Sequence, residues 1–163
     1  MRVLRIGIFY GTKTQTTDKC AKLLAEMLPS SHLINLDALT DNVDDYDFII
    51  IGASVRLNRI NKKVRKFIKR NKDKLYNKKT AYFLCNAFTS KTEKVLQDNI
   101  DPKLFNRALI ISSFGGEIDL EKQKGLDRII VKLAKKLKSF KPPQIDHDAI
   151  EKFAIEVKQI GLR

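Results

Sequence analysis

Asp45-Tyr46-Asp47-Phe48-Ile49-Ile50-Ile51-Gly52-Ala53-Ser54 is the stretch that decides the fold. From Phe48 to Ile51 it is unbroken apolar sequence, without the polar residue at every second position that a solvent-facing strand carries. A strand reads this way when both faces of its sheet are covered, the habit of parallel sheets. Parallel neighbours need helical crossovers, and the flanking sequence supplies them. Val3–Tyr10 reads as a first strand and Leu33–Leu36 as a weaker second, with Asp47–Gly52 the third. Thr80–Cys85 and Ala108–Ser112 make a fourth and a fifth. Cys20, Leu24, Met27 and Leu28 share one face of a first helix, and Val64, Phe67, Ile68 and Leu75 line a basic helix after the third strand. Leu126, Ile129, Ile130, Leu133 and Leu137 form another stripe, and Ile150, Phe153, Ala154 and Val157 a last one. Pro142-Pro143 break the chain between these two, and Asp146 or Asp148 is placed to cap the last helix. The expectation is an α/β three-layer sandwich whose five-stranded parallel sheet runs 2-1-3-4-5, as one domain over residues 1–163.

Composition narrows the function classes. Cys20 and Cys85 are too few and too far apart for a disulfide framework or a zinc site, and both sit in apolar surroundings. They read as reduced core thiols, which points to the cytoplasm. The start, MRVLRIGIFYG, enters a strand, and no run reaches the ~18 apolar residues of a spanning helix. His32 and His147 stand alone, so neither metal nor triad chemistry is expected, and no catalytic side chain is assigned. The charge is uneven. Between Arg56 and Lys79 there are twelve basic residues and one acid, Asp73, which accounts for +11 of the formal +13. Such a field attracts anionic lipid, polyanions or acidic ligands. A lysine-rich face is also commonly plain solvated surface, and Lys/Ile/Asn-rich composition can reflect genome bias. Nucleic acid is not expected: no recognition motif is visible, and aromatics are not interleaved with the patch.

Open parallel sheets bind ligands beyond the carboxyl ends of their strands, near the reversal of strand order. The loops after the first, third and fourth strands meet there. The first, Gly11-Thr12-Lys13-Thr14-Gln15-Thr16-Thr17, leads straight into a helix, whose unpaired N–H groups and positive dipole end suit a phosphate. It is neither a Walker A loop nor GxGxxG, which disfavours a nucleoside triphosphate or NAD. An alternative stays open: Thr16 or Thr17 simply caps the helix.

Thr12-Lys13-Thr14-Gln15-Thr16-Thr17 resembles the flavodoxin phosphate loop, Ser/Thr-x-Thr-Gly-x-Thr, at Thr12, Thr14 and Thr17, with Gln15 in the place of the glycine. Asp45–Ser54 resembles the third flavodoxin strand with its flavin-contacting loop. More narrowly, Ile51-Gly52-Ala53-Ser54-Val55-Arg56 is similar to the IGASIR segment of the menaquinone-dependent protoporphyrinogen IX dehydrogenases, a branch of the flavodoxin-like family. Asn86 after the fourth strand and the basic stretch Leu126–Lys136 are similar to that branch as well.

The resemblance implies FMN, bound noncovalently. Its phosphate would rest on Thr12, Thr14, Thr17 and the N–H groups of Lys13, Thr14, Gln15, Thr16 and Thr17. Its ring would lie between Ala53, Ser54, Val55, Arg56, Leu57 and Asn58 on one side and Asn86, Ala87, Phe88 and Thr89 on the other. Arg56 would place positive charge at the ring edge, or else is an arginine on a solvated loop. Leu57 stands where flavodoxins stack an aromatic; Phe88 is the aromatic in the other loop, and a core role is open to it. The segment between Asn86 and the fifth strand is shorter than in the dehydrogenase branch. The implied activity passes electrons from a reduced small molecule, such as a porphyrinogen, through FMN to a quinone. Arg56–Lys79 would then touch an anionic membrane peripherally at the cytoplasmic face. The alternatives are a flavodoxin-type electron carrier and an FMN-free relative that binds a partner. Electron-carrying flavodoxins tend to be acidic, and this patch has the opposite sign.

Overall fold

A computed structural model describes residues 3–12, 15–38, 42–86, 91–116 and 144–162, together with 132 and 136. Strand β1 spans Ile6–Gly11, β2 Ser31–Asn35, β3 Phe48–Arg56, β4 Arg59–Ile60, β5 Lys79–Cys85 and β6 Ile110–Ser113. The helices are α1 (Thr16–Met27), α2 (Lys62–Arg70), α3 (Lys72–Tyr76), α4 (Thr92–Asn99), α5 (Pro102–Arg107) and α6 (His147–Gly161). The sheet order is β2-β1-β3-β5-β6, all parallel, with the two-residue β4 folded back antiparallel on β3. This is the expected 2-1-3-4-5 order with one short strand added.

The central apolar run behaves as both-face burial requires. Phe48 and Ile50 face α1 and α6, where they join Ile8, Leu24, Phe83, Phe114 and Phe153. Ile49 and Ile51 face the other side with Phe9, Val64, Phe67, Tyr82, Leu96 and Leu104. Phe83 and Phe114 stack at 4.4 Å, and Phe153 meets Phe114 edge-on at 5.2 Å, a geometry that favours the aromatic quadrupoles. Gly52 makes room for this cluster: a Cβ added there would run into the Phe83 ring directly across the strand pair. The glycine of the IGASVR segment is thus demanded by packing.

Several boundaries differ from the sequence expectation. Val3 stays outside β1 and is 70% exposed. The single basic helix is two, parted at Asn71, whose Nδ2 donates to the Phe67 carbonyl and draws the chain out of helical register. Helices α4 and α5 and strand β4 have no counterpart in the expectation. The last helix is as expected, and of the two candidate caps it is Asp146 that accepts from the Ala149 N–H, at 3.0 Å. The Leu126–Leu137 stripe, the Leu126–Lys136 likeness and the Pro142-Pro143 break lie outside the described residues. At the end of β6 the chain is stitched to the segment before α6. Gly116 N–H donates to the Gln144 carbonyl at 3.2 Å, and Asp146 N–H donates to the Phe114 carbonyl at 2.8 Å.

No helix among the described residues is long and apolar enough to cross a membrane. The described residues also contain no metal-holding group of His, Cys, Asp and Glu. His32 packs edge-on against Tyr46, with Nδ1 3.3 Å from its hydroxyl.

Candidate functional site

Strand register brings the three loops together. Gly11 at the end of β1 pairs with Ala53, and Ser54, one residue on, pairs with Cys85, the last residue of β5. Thr12, the Ser54–Asn58 segment and Asn86 therefore leave the same carboxyl edge side by side. Lys13, Thr14, Ala87, Phe88 and Thr89 belong to the same loops and lie outside the described residues.

At the first crossing, the N-cap of α1 is Gln15, and its side chain makes no capping bond. Thr16 and Thr17 lie inside its first turn, 6% and 0% exposed, so the capping alternative does not hold. Among the described residues, no side chain then serves the orphan N–H groups at the helix start. Thr12 Oγ1 and Thr17 Oγ1 are buried and have no hydrogen-bond partner among the described residues; Thr17 also flanks the Cys85 thiol, a weak acceptor. Two starved hydroxyls beside a bare helix N-terminus are a deficit that a bound anion removes. Gln15 has φ +66°, the left-handed region where glycine costs nothing and other residues are strained. The glycine of the flavodoxin motif is explained by this geometry, and Gln15 adopts it regardless.

The electrostatics below the loop suit an anion. Asp18, in the first turn of α1, is paired with Lys22 at 2.8 Å and accepts from the Tyr10 hydroxyl at 2.5 Å. Those two contacts, Lys22 foremost, hold its carboxyl below the usual carboxylate range. Burial, with the Asp18 carboxylate next, pushes the Tyr10 hydroxyl up. The only acid in that turn is already compensated. Beneath them Cys20 and Cys85 are both buried, and the adjoining Cys20 thiol together with burial holds the Cys85 thiol well above its ordinary value. It stays protonated and inert near neutral pH.

The second segment is different from the loop expected at Ala53–Asn58. Ala53 to Arg56 continue β3, and Leu57 and Asn58 form a two-residue turn, with φ +48° and +60°, into β4. Two successive positive φ values are the mark of a type I′ hairpin, whose twist matches that of the strands. The sequence signal was faint because the usual Asn-Gly is here Leu-Asn. Asn99 on α4 holds the hairpin from behind: its Oδ1 accepts from Ile60 N–H at 3.2 Å and its Nδ2 donates to the Asn58 carbonyl at 2.9 Å. Asn61 N–H donates to the Ser54 carbonyl at 2.9 Å, and the Asn61 side chain caps α2. Sequence reasoning passed over Asn99 entirely. Nothing local marks an asparagine at a helix end as a partner for a turn 41 residues away. Leu57 at the tip is 59% exposed.

At the third segment, Asn86 is buried and its Oδ1 accepts from Ser113 Oγ at 2.7 Å, which fixes the end of β5 to the end of β6. A cleft of about 750 Å³ opens beside it, between α4, α5 and β6, lined by Lys91, Lys94, Phe105, Ile111 and Ser112 among others. It lies at the sheet's outer strand, with two strands, β3 and β5, between it and the strand that leads into the threonine loop.

The basic face proves partly neutralised. Lys63 pairs with Asp37 and Lys74 with Asp44, each at 2.8 Å, and Lys72 pairs with Asp101 at 3.0 Å. Lys78 Nζ donates to the Tyr46 carbonyl and Arg65 Nε to that of Ile60.

Comparison with known proteins agrees with this architecture. No curated protein sequence matches the chain. Among solved structures, the rubredoxin:oxygen oxidoreductase of Desulfovibrio gigas superposes with a TM-score of 0.65 at 16% identity, over 97% of this chain and 36% of that one. The chain thus spans about a third of that protein's length. A flavodoxin, WrbA-like protein from Agrobacterium tumefaciens matches at 0.61 and 14% identity, over 98% of both chains. Fusobacterium nucleatum flavodoxin, solved bound to flavin mononucleotide, matches at 0.55 and 16%, over 96% of this chain and 98% of that one. At such identities these likenesses speak for the fold alone. The model of the Flavodoxin domain family matches residues 7–143, and the chain belongs to that family.

Proposed function

We propose that the chain is an FMN-binding oxidoreductase, similar to the menaquinone-dependent protoporphyrinogen IX dehydrogenases. It would move electrons from a reduced small molecule to a quinone. The observation that carries the cofactor reading is the pair of starved hydroxyls, Thr12 Oγ1 and Thr17 Oγ1, at the uncapped start of α1. Thr12, Thr17 and the first N–H groups of α1 would hold the phosphate, with Thr14 and Lys13 completing the loop. Ser54 to Asn58 and the Asn86–Thr89 segment would border the ring, and bound FMN would supply reversible redox chemistry there. The residues of this chain bind, orient and set the charge around that ring; no side chain is needed as acid or base. The IGASVR segment supports the dehydrogenase branch, and the positive sign of the α2 face supports an anionic substrate or membrane surface over the basic docking patches that flavodoxins meet.

The test is the visible spectrum of the purified protein, followed by FMN titration and a porphyrinogen oxidation assay coupled to menaquinone. Flavin absorption and menaquinone-dependent turnover are expected. Tight FMN binding without turnover overturns the substrate assignment. A colourless protein that leaves FMN fluorescence unchanged overturns the cofactor.

A further inference from the structure

We propose that the outward stripe of α2, formed by Lys62, Lys66, Lys69 and Arg70, is a docking surface for an anionic lipid bilayer. The use of that docking, access to a membrane-held quinone, rests on the redox function proposed above. With about 3.6 residues per turn, the four positions fall within roughly 100° of the helix circumference. All four are exposed, and Val64, Phe67 and Ile68 bury the opposite face. The neighbouring cations are already answered from within the chain. Lys63, Lys72 and Lys74 pair with Asp37, Asp101 and Asp44, while Arg65 and Lys78 donate to backbone carbonyls. The side chains of Lys62, Lys66, Lys69 and Arg70 have no ion pair or hydrogen bond among the described residues. The internal acids thus divide the basic segment into a neutralised part and one open face.

That face is destabilising to the helix that carries it. Lys62 and Lys66, and Lys66 and Arg70, stand four residues apart, where like charges repel. The first turn holds no acid, so Lys62 also sits at the positive end of the helix dipole. A layer of anions along the helix removes both penalties. Three of the four cations are lysines, hydrated point charges suited to a diffuse surface more than to the forked recognition of one carboxylate. The stripe has no aromatic or apolar side chain, which a stacked single strand or the core of a protein interface requires. Anionic headgroups ask only for sign and reach, and each cation near them strengthens binding about fivefold. The stripe also begins at the cofactor edge. Asn61, the cap of α2, donates its N–H to the Ser54 carbonyl at 2.9 Å. The Val64 and Asn61 side chains pack so closely on Gly11 that an added Cβ would meet them at 2.9 and 3.0 Å. A bilayer held by α2 therefore lies next to the edge where the threonine loop and the hairpin emerge.

Co-sedimentation of the full chain with mixed phosphatidylglycerol–phosphatidylcholine vesicles, against vesicles of phosphatidylcholine alone, tests this. Binding to the anionic vesicles that fades as salt is raised is expected, with none to the neutral ones. Lys66→Gln combined with Lys69→Gln should weaken it about 25-fold, two charges at about fivefold each. Lys63→Gln combined with Lys74→Gln removes the same charge from residues already paired, and should change it by less than about threefold. Equal losses in the two double variants would reduce the stripe to the general field of a basic protein and overturn the proposal. So would failure to bind the anionic vesicles, or preferential binding of duplex DNA through Lys66 and Lys69. FMN titration of the same proteins separates the two readings. Both doubles should keep the wild-type FMN affinity, and a wild type that takes no FMN retires the redox function while the vesicle result still decides the docking face.

Discussion

Two chain crossings meet at the carboxyl edge, and they are built on opposite terms. Where β1 enters α1, the Gln15 cap makes no side-chain bond, two buried threonine hydroxyls have no partner among the described residues, and Gln15 sits in a glycine's conformation. Where β3 turns through β4 into α2, the backbone is strained as well, yet the groups around the turn are answered by Asn99, Arg65 and the Asn61 cap. Among the described residues the first crossing holds unmet hydrogen bonds, and the second holds torsion under restraint.

The contrast can be broken at four places. The largest effect is expected from Gly52→Ala, in the strand beneath both crossings. The new methyl collides with Phe83 inside the stacked aromatic cluster, and overpacking of this sort costs about 3 kcal/mol. Urea denaturation should show that loss, and an unchanged midpoint would mean the Phe83 ring can move aside. Asn99→Ala comes next. It leaves the Ile60 N–H and Asn58 carbonyl unanswered, for a loss of about 2 kcal/mol, while FMN affinity falls because the hairpin loosens. Third, Thr12→Ala combined with Thr17→Ala should weaken FMN binding about tenfold, or 1.4 kcal/mol, with little loss of stability, since among the described residues those hydroxyls have no partner beyond the weak Cys85 thiol beside Thr17. Loss of stability with unchanged FMN affinity would reverse the assignment of the two crossings. The smallest is Gln15→Gly, which relieves the left-handed strain and should raise stability by about 1 kcal/mol without weakening FMN binding.

Most of the frame was legible because burial on two faces writes itself into sequence. Phe48–Ile51 could only be a central strand, and the Ile150-Phe153-Ala154-Val157 stripe could only be a helix, down to its Asp146 cap. The elements that escaped expose too little apolar pattern. α4 buries Val95 and Leu96 as its apolar contacts, α5 buries Leu104 alone, and β4 is two residues long. Of the site, the threonine loop and the convergence of three loops followed from residue type and the switch-point rule. The hand of Gln15, the hairpin at Leu57-Asn58 and the Asn99 clamp did not, because each depends on a tertiary contact or a torsion that the residue's own preference opposes. The charge count misled in the same way: Asp37, Asp44 and Asp101 reach the basic helices from elsewhere in the chain.

The stitch between Gly116 and Gln144 has an evolutionary reading. Beyond β6, which ends at Ser113, the Gly116 N–H meets the Gln144 carbonyl one hydrogen bond away, with Phe114 and Asp146 bonded just inside. A strand end and a helix start already fastened to each other need no intervening sequence to keep them in place. Between ends fastened in this way, a longer or shorter connection costs only slowly growing loop-closure entropy, so the junction is a place where relatives of this fold can differ in length.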